Sequence, residues 1–168
     1  VATAVTIGTI GTEICGNNFW AVLLLAYAAI FVDTITKWIS ISKKYYVDTA
    51  GCDLIDVSWI QVIHGILGEA WGPKYLASRC FSRIIEKIFT YTVLITLCYA
   101  AGKWLPTLDL FGLKFSPSAV FPASASISVF LIEMSSINEN LREMGQTAIS
   151  DMLTKIVDFV INKITSKI

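Results

Sequence analysis

The chain has 168 residues, a formal net charge of zero, 55% hydrophobic residues and only 15% charged ones. Soluble domains carry about 25% charged residues, so this composition, with a mean hydropathy of +0.65, points to a protein that lives in a bilayer. No basic tail or arm is present, which argues against nucleic acid as a partner, and the four cysteines contain no CxxC pair, so they offer no disulfide framework and no metal-ligand spacing.

Residues 1–14 are mildly apolar, rich in Thr and Gly, and lack a basic start; they do not read as a secretory signal. Residues 19–32, FWAVLLLAYAAIFV, are free of acids and bases. With their flanks they predict a first membrane span over about residues 18–38, capped by Asn17 and Asn18. Trp20 and Trp38 lie about 27 Å apart along such a helix, a spacing that suits the two interfaces tryptophan prefers. Asp33 and Lys37, one turn apart near its end, are expected to pair.

The next stretch is more polar and holds Lys43, Lys44, Lys74, Arg79 and Arg83. Within it, residues 57–67 (VSWIQVIHGIL) are too short to span and predict an interfacial or protein-packed helix closed by Gly68 and broken at Gly72-Pro73. His64, the one histidine, reads as a partly buried or interfacial side chain rather than a catalytic one.

A second span is predicted over about residues 84–104, ending before Pro106, with Arg83, Lys87 and Lys103 placed to snorkel. A third, over about 115–133, carries Pro117, Pro122 and five serines. Ser124 and Ser128 share one face. Small hydroxyl residues either line a polar path or let helices approach closely, and both readings stand. Asp33 and Glu133 are the acids nearest apolar cores, either a pair lining a pore or two interface carboxylates with nearby partners.

The tail, residues 135–168, predicts an amphipathic helix in which Leu153, Val157, Val160 and Ile164 alternate by four, three and four, a short assembly seam. Lys and Arg alternate low, high, low, high over the four flanking segments, which predicts the N-terminus outside and the central loop and tail in the cytoplasm. The chain therefore reads as an all-α integral membrane protein: a membrane domain over 1–134 with about three transmembrane helices and an interfacial helix, then a cytoplasmic amphipathic C-terminal helix over 135–168. No HExxH, GxSxG, P-loop or CxxC is present, so no catalytic, cofactor or metal residues are nominated.

Three blocks carry a resemblance. Residues 21–44, AVLLLAYAAIFVDTITKWISISKK, hold an apolar helix ending in Asp33-Thr34-Ile35-Thr36 before a basic loop. Residues 78–106 hold a basic amphipathic lead-in that runs into a long span. Residues 130–145, FLIEMSSINENLREMG, place Glu133, Ser136, Ile137, Glu139, Asn140, Leu141 and Gly145 at the end of a third. Together they resemble the phage-lysis and toxin-secretion holins, although the apolar helix between the first two blocks lies outside that pattern. The resemblance implies a protein of the bacterial cytoplasmic membrane that contacts lipid, forms homo-oligomers, needs no cofactor, and opens lesions through which a murein hydrolase or toxin passes. Ser124, Ser128 and Glu133 are then the candidate pore-lining residues. The competing readings are a non-pore membrane anchor or scaffold of a phage-derived or secretion assembly and, third, a small transporter or channel subunit.

Overall fold

The first apolar segment does not end where its hydropathy falls. In the computed structural model, which describes residues 19–110 and 113–165, helix α1 covers Phe19–Ala50. Its 32 residues span about 48 Å, well beyond the ~30 Å of a hydrocarbon core. No Gly or Pro interrupts the chain after Trp38 until Gly51, whose φ of 66° ends the helix in the left-handed region. The predicted caps Asn17 and Asn18, like Cys15, lie outside the described residues; Cys52, Cys80 and Cys98 are free thiols.

The polar extension of α1 is where the extra helix packs. Helix α2 (Trp59–His64) starts on a capping box between Ser58 and Gln61 and runs into a single π-helical stretch, Gly65–Glu69. Val62 and Val57 pack on Tyr46, and Tyr46 donates to the Glu69 carboxylate. At Gly65 the two backbones close up: a Cβ would overlap the Ser42 hydroxyl, which is fully buried and donates to the Val62 carbonyl at 2.9 Å. Gly65→Val is expected to push the two segments apart and cost about 1–3 kcal/mol, seen as a lower melting temperature in detergent. An unchanged value would mean this contact is not formed. The other face of α2, with Trp59, Ile60, Ile63 and His64, is exposed.

Helix α3 (Ser78–Trp104) runs antiparallel to α1. Phe81 meets Trp38 edge-on at 5.5 Å near one end, and Tyr99 meets Phe19 at 5.2 Å near the other. After Pro106 a short antiparallel ladder, β1 (Leu108–Leu110) with β2 (Leu113–Phe115), reverses the chain. Helix α4 (Pro117–Glu143) then starts on Pro117, whose missing N–H is harmless in a first turn. The third span thus begins at Pro117, two residues after the predicted start, with Pro122 inside the helix and Ser126 donating to the Pro122 carbonyl at 2.7 Å.

The core between the three long helices is built from Val22, Ala26 and Ile30 of α1, Tyr91 and Ile95 of α3, and Ala125 and Val129 of α4. Alanine at these contacts lets the helices approach closely, as apolar solvent on the outside requires. The outward faces stay greasy: Leu24 and Phe31 on α1, Ile85, Phe89 and Leu97 on α3 are mostly exposed. All three helices are long and apolar enough to cross a membrane.

The tail is shorter than the predicted 135–168 helix. Helix α4 continues to Glu143, Gly145 at φ 76° breaks the chain, and α5 (Thr147–Thr165) doubles back along α4. Asn138 donates to Thr154 Oγ1 at 3.1 Å and Arg142 to the buried Ser150 Oγ at 2.9 Å. Apolar periodicity alone gives no sign of these polar contacts within one chain. Leu153 and Val157 of the predicted seam are half-buried beside α4, and the side chains of Val160 and Ile164 lie outside the described residues. Ile149, Met152, Ile156 and Phe159 remain exposed.

Three crossings put the α1–α3 loop and the α3–α4 hairpin on opposite sides. In a background with all native cysteines replaced by serine, the exposed positions Asp53→Cys and Thr107→Cys should react with an impermeant thiol reagent from opposite faces of the membrane. Labelling of both from the same face would rule out this topology.

Candidate functional site

At one end of the bundle the apolar core gives way to charge. Asp33 comes from α1, Lys87 and Tyr91 from α3, and Glu133, Ser136 and Asn140 from α4. On α3, residues 87, 91 and 95 follow one another by four, so Lys87 extends the same inward stripe as Tyr91 and Ile95. On α4, residues 133, 136 and 140 share one face by three and four. The helices thus deliver six polar side chains to one level.

Lys87 Nζ lies 2.7 Å from Asp33 Oδ2 and 3.0 Å from the Glu133 carboxylate. Tyr91 donates to Glu133 Oε1 at 2.6 Å. Ser136 Oγ and Asn140 Nδ2 donate to Asp33 Oδ1 at 2.6 and 2.9 Å, and Asn140 also reaches Thr36 Oγ1 at 3.2 Å. Glu133 is completely buried and Asp33 nearly so. One ammonium therefore serves two carboxylates, and every carboxylate oxygen has a donor. Burial of such a set is tolerable only while it stays complete, because breaking one partner leaves a charge uncompensated in a medium that cannot solvate it.

A second tier continues the α1–α4 contact toward the chain's polar extension. Lys37 Nζ and Ser40 Oγ hold Glu143 Oε2 at 2.8 and 2.7 Å. The buried Lys43 donates to the Met144 carbonyl at 3.4 Å, at the C-terminal end of α4, where a cation is favoured. The expected Asp33–Lys37 pair is thus replaced by two longer-range pairs, Asp33–Lys87 and Lys37–Glu143. Packing of the helices gave Asp33 a partner from α3, while Lys37 pairs with the more exposed Glu143 of α4.

Of the candidate pore residues, Glu133 sits at the centre of this network. Ser124 is half-buried and Ser128 exposed; at 100° per residue they point about 180° and 140° away from Glu133. The structure does not bring the two serines to the network. Lys87 and Tyr91 were not nominated from sequence, where Lys87 looks like one more basic residue at a span edge. The available signal was its place on the Tyr91–Ile95 stripe. His64 is exposed and far from these groups in the fold, on α2. Among the described residues no three His, Cys, Asp or Glu side chains converge as a metal site.

No family model, curated protein or solved structure matches the chain.

Proposed function

We propose that the chain is a holin-like protein of the bacterial cytoplasmic membrane, which accumulates as closed bundles, oligomerises, and opens lesions for a murein hydrolase or toxin. The observation that carries this reading is the convergence of the three resembling blocks on one buried network: Asp33 from the first, Lys87 and Tyr91 from the second, and Glu133, Ser136 and Asn140 from the third.

The chemistry fits a two-state device. Closed, the charges satisfy one another and the outside of the bundle is apolar enough for lipid. If α3 parts from α1 and α4, the same carboxylates, ammonium and hydroxyls need water, and they become the wall of an aqueous path. In that open assembly Glu133 lines the path, and the outward Ser124 and Ser128 supply a further hydroxyl face. The Lys and Arg bias supports a position for the network at the cytoplasmic edge.

Ser124→Leu with Ser128→Leu is expected to reduce leakage severalfold at unchanged protein level, since an apolar constriction dewets. Full leakage with normal oligomers would take this face out of the mechanism.

The second reading, a non-pore scaffold or anchor, is supported by the outward apolar faces of α2 and α5. Inducible expression in bacteria carrying a cytoplasmic murein hydrolase separates the two. The holin reading predicts dye entry and then lysis after a delay. Accumulation in the membrane with neither dye entry nor lysis would replace it with the scaffold reading.

A further inference from the structure

Beside the network, between α1 and α3, the charged end of the bundle opens into two cavities of about 670 and 310 Å³. Lys37, Ile41, Cys80 and Arg83 wall both, so they form one continuous groove. The larger chamber is ringed by the cations Lys37, Lys44, Lys74 and Arg83 and by the carboxylates Asp48 and Glu143. Two of the cations are already matched: Lys37 with Glu143 at 2.8 Å and Lys74 with Asp48 at 3.2 Å. Hydrogen bonding to Tyr75 and then to Asp48 raises Lys74 above the ordinary lysine range, so it stays cationic. Lys44 and Arg83 form no ion pair among the described residues. The larger chamber therefore holds four cations to two carboxylates: Lys44 lies within electrostatic reach of Asp48 and Glu143, but these already hold Lys74 and Lys37, and an excess of two positive charges remains.

Its depth is marked by aromatic side chains. Trp38, at the predicted edge of the first span, packs on Phe81, and Trp71 stacks on Phe81 at 5.6 Å. Aromatic residues of this kind settle at headgroup level. The larger chamber lies on the polar extension of α1, from Lys37 to Asp48, on the headgroup side of that layer. The smaller chamber leads back past Trp38, Ile41 and Ile84, with Asp33, Lys87, Glu139 and Asn140 on its inner wall, and the same stretch of α3 carries the exposed Ile85 and Ile88. A cationic chamber that continues along the apolar edge of Trp38, Ile41 and Ile84 suits a phospholipid, and a free anion would use only its upper half.

We propose that this groove binds an anionic phospholipid, with Arg83 and Lys44 gripping the phosphodiester headgroup and an acyl chain lying along Trp38 and Ile84. This assignment rests on the membrane-spanning architecture and not on pore formation. The headgroup bridges α1 and α3 directly above the Asp33–Lys87 pair, and so ties together the helices that opening must separate.

The test uses the full chain in mixed micelles doped equally with phosphatidylglycerol or phosphatidylcholine, with retained lipid counted by native mass spectrometry. Phosphatidylglycerol should be retained about tenfold better. Arg83→Gln with Lys44→Gln should abolish the preference, and Lys103→Gln at the opposite end should leave it intact. Millimolar inorganic phosphate should not displace the lipid. Equal retention of the two lipids, an undiminished preference in the double variant, or displacement by phosphate would each overturn the proposal. Should the double variant lose thermal stability, Lys44→Gln alone, on an exposed side chain, must still lower the preference severalfold. Because leakage is not read, failure here is separate from failure of the pore reading.

Discussion

Lys87→Met is expected to destabilise the closed bundle by about 3–5 kcal/mol, the cost of leaving buried charges without their partner. The methionine fills a similar volume, so lost packing contributes little. What remains is Asp33 with only Ser136 and Asn140, and Glu133 with only Tyr91. Two carboxylates that shared one ammonium then face each other at the end of an apolar core. The melting temperature in detergent should fall steeply, and in cells leakage should begin earlier at the same protein level. Neutralising both acids in that background, with Asp33→Asn and Glu133→Gln, should recover much of the stability, because a neutral hydrogen-bonded set carries no uncompensated charge. A triple variant as unstable as Lys87→Met would show that the lysine acts by shape and not by charge.

Gly102→Leu is the second large effect. In α3 this glycine lies against the start of α4, where an added Cβ would sit 3.0 Å from Ser118 Cα and 3.1 Å from the Pro117 carbonyl oxygen. Both are backbone atoms, and Pro117 is buried at the first turn of its helix, so neither can rotate away. The helices must separate at the end opposite the charge network. Overpacking of this kind costs about 1–3 kcal/mol or more, and the whole α3–α4 hairpin must tilt to relieve it. Gly102→Ala should give a smaller effect in the same direction. If both variants melt like the unaltered protein, α3 and α4 do not approach here.

The membrane architecture was readable because an uncharged run of span length suits a hydrocarbon core and is costly to leave in water. The ends of the helices were harder. The continuation of α1 to Ala50 is consistent with the absence of Gly and Pro after Trp38, but a falling hydropathy hid it. Pro117 carried a usable signal, since proline suits a first turn, whereas the two-strand hairpin before it is too short to show a period. The network was half visible. Asp33 and Glu133 stood out as acids beside apolar cores, and Ser136 and Asn140 belonged to the resembling block. Their common partner Lys87 did not stand out, because local spacing reveals only partners on the same helix, and Asp33 had Lys37 four residues away. The reversal at Gly145 was concealed for the same reason: the polar contacts of Asn138 and Arg142 with α5 depend on which way the chain turns, and helical periodicity alone leaves that direction open.

Pore formation is open to a direct test in liposomes loaded with a protein-sized fluorescent dextran. The chain is reconstituted at increasing density, alongside Lys87→Met at matched incorporation. No release is expected at low density, then abrupt release above a threshold, with a lower threshold for Lys87→Met, whose network no longer holds α3 to α1 and α4. Intact liposomes at every density, for both proteins, would contradict a pore-forming role.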